Sequence, residues 1–128
     1  MAIRPQYHFR PIGDDLFIWD VRRLIALAED LPVIQVPLAE ISEIDETYWF
    51  SPTGDQPSVR AVADHAALIQ AADLAYPILL CARGRVMDGM HRVARAYLDG
   101  AQDIAARRFE VTPPHDHVNM APEALSYD

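Results

Sequence analysis

The chain contains no lysine. All eleven basic residues are arginines, set against nineteen Asp and Glu for a net charge of −8. The simplest reading of a lysine-free composition is genome bias rather than function. A protein this acidic, with no extended basic stripe, is a poor partner for long nucleic acid, so sequence-specific nucleic-acid binding is not expected. Cysteine is almost absent too: Cys81 stands alone, which excludes an internal disulfide and suits a reducing cytoplasm. Long apolar runs are missing, none approaching the roughly 20 residues that span a bilayer. The start, Met1-Ala2-Ile3-Arg4-Pro5, lacks the apolar stretch of a signal peptide. The expectation is a cytoplasmic protein without membrane association. No internal repeat and no linker divides the 128 residues, a length that fits one domain with a real core.

What is present is a mixed α+β pattern. Asp15 to Glu29 carries Phe17, Val21, Leu24, Ile25 and Ala28 at helical spacing, predicting an amphipathic helix capped by Asp14 or Asp15 and ended by Leu31-Pro32. Val33 to Leu38 reads as a strand, with Pro37 at an edge or end. Glu40 to Glu46 is an acidic turn, followed by the aromatic run Tyr48-Trp49-Phe50 and a Pro/Gly loop from Ser51 to Ser58. Ser58 then caps a helix from Val59 to Ala72 with Val62, Ala66 and Ile69 on one face. Ile78 to Ala82 and Arg85 to Asp88 form a hairpin around Arg83-Gly84. A helix from Met90 to Asp99 follows, with Gly100 as its C-cap. Ile104 to Val111 is the expected last strand, and Thr112 to Asp128 reads as a tail, loose or laid over the surface.

The most informative stretch is Asp88 to Leu98, a glycine elbow opening into a helix. A helix start leaves N–H groups unpaired and carries partial positive charge, which suits an anion. Gly89 permits close backbone approach, and Arg92 and Arg95, three apart, share one side. Arginine presents a fork of donors that matches phosphate. Between residues 83 and 110 six arginines outnumber four acids, a local charge of +2 in an acidic chain. The residues themselves therefore point to a phosphate or carboxylate pocket at Gly89–Arg92. The plainer alternative is an ordinary strand-to-helix turn with Arg92 solvated and His91 facing the sheet.

Met87-Asp88-Gly89-Met90-His91-Arg92, with Gly100 closing the helix, resembles the Gly-x-x-Arg signature of the ParB/sulfiredoxin superfamily. Val36-Pro37-Leu38-Ala39-Glu40-Ile41 is similar to the opening strand of that family. The resemblance implies a single compact α+β domain with a small mixed sheet. Its core would span 33–111, with a helical addition at 1–32 and a tail at 112–128. It implies a nucleotide triphosphate or diphosphate, with or without Mg²⁺, on Gly89, Met90, His91, Arg92 and Arg95. Phosphoryl transfer or nucleotide hydrolysis is the catalytic form of that reading. The other form is a non-catalytic interaction or regulatory protein that keeps the fold. Asp88 could hold the metal, orient Arg92 or cap the helix, the cap being simplest. Sulfiredoxins carry their reactive cysteine where this chain has Met90, and a thioether forms no thiolate, so sulfiredoxin chemistry is not expected. A DNA reader of the kind that follows the nucleotide domain in ParB proteins is not expected after Gly100. Free-serine kinases of this superfamily carry Asp-Gly-His-His-Arg and a glutamate base. That likeness makes Glu40, Glu43, Asp45 and Glu46 candidates, with Glu46, nearest the aromatic run, and Asp88 as the catalytic pair. A solvated acidic turn is the plainer reading. Tyr48-Trp49-Phe50 are expected to wedge their loop onto the core, and His65 is expected to be structural. His115-Asp116-His117 is a weak metal pattern.

Overall fold

A computed structural model describes residues 6–125. Its order is β1 (Tyr7–Ile12), β2 (Asp15–Asp20), α1 (Val21–Ala28), β3 (Ile34–Pro37), two 3-10 turns (Leu38–Glu40 and Ser42–Asp45) and α2 (Val59–Ala71). Then come β4 (Ile78–Leu80), β5 (Val86–Asp88), α3 (Met90–Leu98), β6 (Asp103–Arg108), β7 (His117–Val118) and a last 3-10 turn, Pro122–Ala124. The strands form two small sheets. One is antiparallel, in the order β1-β2-β7; the other is mixed, in the order β3-β6-β4-β5, with β4 and β6 parallel. The architecture is α+β.

The central hairpin forms as its residues require. Cys81 N–H donates to Arg85 O across the turn, and Gly84 supplies a φ of +82°. Strand β4 is wholly buried, as Ile-Leu-Leu flanked on both sides by other strands must be. Helix α3 lays Met90, Val93 and Ala96 onto the sheet, where they join Leu38, Ile41, Ile78, Leu80, Val86, Ile104 and Ala106 in the main core. A second cluster, Trp19, Leu24, Ala28, Leu79, Cys81, Met87 and Phe109, fastens α1 and the N-terminal hairpin to the opposite face.

Two expectations change here. The predicted helix from Asp15 to Glu29 is a strand up to Asp20 and a helix only from Val21, so residues 6–32 are a hairpin plus one short helix. Phe17, Ile18 and Trp19 pair with β1 through a two-residue turn at Gly13-Asp14, where Gly13 has φ +61°. Aromatic and β-branched residues favour that pairing, and the true cap is Asp20, whose carboxylate accepts Arg22 N–H at 2.9 Å. The tail, over its described part, takes the second of its two expected forms and is laid over the surface. The strand β7 completes the first sheet, Trp19 Nε1–H donates to Pro113 O at 2.8 Å, and Asp116 accepts Asp20 N–H at 2.7 Å. These anchors are polar and irregular, so no hydrophobic period announces them. Accordingly β6, not the last strand, ends at Arg108. Among the described residues no helix is long and apolar enough to cross a membrane.

Candidate functional site

The Asp88–Arg92 elbow is built by its own side chains. Gly89 sits at φ +103°, and a Cβ there would lie 2.7 Å from Ile78 Cγ2 and 3.1 Å from Arg92 Cζ. Glycine is therefore required twice, by the left-handed backbone and by the guanidinium passing over it. Arg92 turns back across the elbow: its Nη2 bonds Asp88 at 2.9 Å, and its Nη1 donates to Tyr76 O and Pro77 O, both at 2.8 Å. Of the roles expected for Asp88, orientation of Arg92 is shown by this bond and the helix cap is not. The helix N-cap is Gly89, with no side-chain cap bond. Val93 N–H is the first in α3 to find a backbone acceptor, Gly89 O at 3.0 Å. The N–H groups before it face the elbow without intrahelical partners.

Beside this elbow lies a cleft of about 800 Å³. Asp88, Gly89, Met90, His91 and Arg92 form one wall, Val21, Ile25 and Glu29 of α1 another, and Leu68, Ala72 and Asp73 a third. Arg22 and Arg107 also line it. The lining is mostly apolar. Arg107 spends its Nη1 on the carbonyls that end α1, at Ala28, Glu29 and Leu31. Arg95 is absent from this lining: it bonds Asp99 at 3.2 Å and Gln70 O at 2.7 Å, tying α3 to the end of α2.

The acidic turn faces elsewhere. Glu43 is 1 % exposed, and its carboxylate accepts Val86 N–H, with Ser42 Oγ and Arg85 Nε beside it. Glu46 grips the Arg85 guanidinium through both oxygens, at 2.7 and 3.1 Å, and that bond holds its carboxyl below the usual range. Glu43, Asp45 and Glu46 line a second cleft of about 530 Å³ with Tyr48, Trp49, Phe50, Met90 and Tyr97. Among the described residues only Met90 lines both clefts. The expectation that the acidic turn and Arg92 line one cleft is not met, because Arg85 and Val86 draw the turn to the other side of α3.

One constellation was not foreseen. His65 Nδ1 and His91 Nε2 are 2.8 Å apart, and both imidazoles stack on Trp49, at centroid distances of 4.5 and 4.6 Å. Phe50 meets His65 edge-on at 5.4 Å. Burial and the neighbouring His65 push the His91 pKa below its ordinary value. The sequence offered the aromatic run and the motif histidine separately, but nothing in it paired residue 65 with residue 91.

The histidines of the tail are spent on packing. His115 stacks on Phe17 at 4.2 Å, His117 meets Tyr7 edge-on, and Asp116 pairs with Arg23 at 2.9 Å. No group of three or more His, Cys, Asp or Glu suited to a metal occurs among the described residues. Comparison of the chain with protein-family models, with curated proteins and with solved structures gives no match.

Proposed function

We propose that the chain is a small-molecule binding protein of ParB/sulfiredoxin-like design. Its larger cleft would take a nucleotide or another phosphorylated ligand at the α3 start. The observation that carries this reading is the coincidence of that cleft with residues 88–92. A preformed, mostly apolar cleft of this size with a few polar groups at one end is the usual form of a ligand site. An apolar floor from α1 and α2 suits a base or a comparable flat body. The first N–H groups of α3 and the outer edge of Arg92 suit a phosphate. Arg92 would act as a fixed, already oriented charge, since Asp88 and two carbonyls hold it in place.

Binding is favoured over phosphoryl transfer. Asp88 is neutralised by Arg92, and Glu46 lies in the other cleft, committed to Arg85. Neither is placed as a base for a ligand beside Arg92.

Because Arg92 also holds the elbow together, the test uses a cleft residue with no structural bond. Ala26 lines the cleft from α1 and is exposed, so Ala26→Trp should fill the space and leave the fold intact. A nucleotide at about ten times its Kd should stabilise the wild type by about 1.4 kcal/mol and raise Tm by roughly 4 °C. Ala26→Trp should lose that shift. If ATP, CTP and pyrophosphate at millimolar levels neither raise the wild-type Tm nor shift amide resonances of 88–92, the reading fails.

A further inference from the structure

Helix α2 forms a wall of both clefts: Leu68 and Ala72 face the larger one, and Ile69 faces the smaller. It contains no buried residue, and Val59, Val62 and Leu68 are more than half exposed. Thirteen residues of helix are marginal by themselves, so its position depends on a few ties. One is Arg95 to Gln70 O, at its C-terminal end. The other, in mid-helix, is the bond between His65 and His91 under Trp49.

The geometry of that bond decides what protons do to it. The ring centroids are 5.1 Å apart and the rings lie 21° from coplanar. With 2.8 Å between the nitrogens, the two imidazoles meet nearly head-on, as a hydrogen bond requires, rather than converging on a shared ion. A head-on pair holds one proton between its nitrogens. A first added proton goes to an outer nitrogen and leaves the bond as imidazolium donating to imidazole. A second must go between the rings, where two N–H groups then face each other and repel. The neutral or singly charged pair holds; the doubly charged pair does not.

Surrounding charges do not relieve this repulsion. On α3, Arg92 is paired with Asp88 and Arg95 with Asp99. On the 3-10 turn and its loop, Glu43 and Glu46 both face Arg85, Asp45 is exposed to solvent, and the packed rings of Tyr48, Trp49 and Phe50 carry no charge. Arg60 and Asp64 of α2 itself are exposed to solvent.

We propose that α2 is an acid-released lid over both clefts, latched by the His65–His91 pair beneath Trp49. The sign follows from the lowered His91 pKa: the closed form gains stability above the ordinary value of 6.5, and this is lost as pH falls through the lower folded value. The lid is independent of what the cleft binds, so its test uses the free protein.

Amide hydrogen exchange, corrected for intrinsic rates, is compared at pH 7.5 and 5.0 in the wild type and in His91→Gln. The carboxamide keeps a hydrogen bond to His65 and cannot be protonated. Wild-type amides of 59–71 should exchange at least tenfold faster at pH 5.0, while in His91→Gln they stay within twofold; β4 and β6 report the global acid response, which both proteins share. Equal wild-type exchange at the two pH values overturns the proposal, as does an acid response of 59–71 that His91→Gln leaves unaltered. Should His91→Gln fail to fold, His65→Asn takes its place, because its carboxamide reaches the Nδ1 position. NMR titration of the wild-type imidazoles is a second readout. Two coupled steps, the lower one coinciding with loss of the Trp49 ring-current shift, support the latch, and independent single steps overturn it.

Discussion

Gly89 and Arg92 explain each other. The guanidinium can reach Asp88 and the Tyr76 and Pro77 carbonyls only by crossing the elbow, and only a residue without a Cβ lets it cross. Gly89→Val therefore meets both a left-handed φ and the Ile78 methyl, and should lower stability by about 2–3 kcal/mol in urea unfolding. A loss under 0.5 kcal/mol would show that the elbow relaxes freely. Glu43 is the second critical residue, because its buried carboxylate satisfies Val86 N–H on β5. Glu43→Leu fills the volume but orphans that donor, while Arg85 keeps its bonds to Glu46. It should cost about 2–4 kcal/mol by the same measurement. The role of Glu43 is not legible in the sequence, where it is one acid among four, whereas for Arg92 the sequence allows both a ligand contact and an orienting bond from Asp88.

Among the elements, those with strong local signals formed as predicted. The hairpin around Arg83-Gly84, the helix capped by Ser58 and the helix closed by Gly100 each carry a turn or cap residue whose chemistry is local. Ser58 Oγ accepts Ala61 N–H at 3.1 Å, and Gly100 takes φ +75°. The N-terminal hairpin departs from the expected helix because Phe17 and Val21 fit a helical period by accident. Gly13-Asp14 and the Phe-Ile-Trp run were the signals that could have corrected it. That hairpin depends on the tail, which shields Trp19 and caps the edge of β2. Asp116→Ala removes the acceptor for Asp20 N–H and the partner of Arg23, so it should cost about 1–2 kcal/mol. Trp19 fluorescence should shift to the red as Pro113 loosens, and an unshifted spectrum with unchanged stability would count against the tail as an anchor.

For the whole molecule, acid is the informative perturbation. His8 is 8 % exposed and packs against Trp19 at 5.8 Å, and its Nε2 is buried without a hydrogen-bond partner. Burial, with Arg10 and Arg85 nearby, pushes its pKa down to about 3. A folded value below the unfolded one means that His8 adds stability above pH 6.5, which is lost as pH falls toward 3. The slope for one such group is about 1.4 kcal/mol per pH unit. Urea midpoints measured between pH 7 and 4 should fall accordingly, and His8→Phe should flatten the curve. An equally steep curve in His8→Phe would assign the acid response to other groups. This global loss is separable from release of α2, since only the former reaches β4 and β6.

The sequence alone determined the α+β character, the central hairpin, the two capped helices and the elbow at Gly89, because each rests on interactions within a few residues. It also placed charge and flexibility together at the α3 start. Only the tertiary structure decided which arginine is spent on which carbonyl, that the acidic turn sits across α3 from Arg92, and that His65 meets His91 under Trp49. Those outcomes depend on residues 15 to 79 positions apart meeting across packed elements. No local propensity or spacing encodes such a meeting; burial of the two cores does.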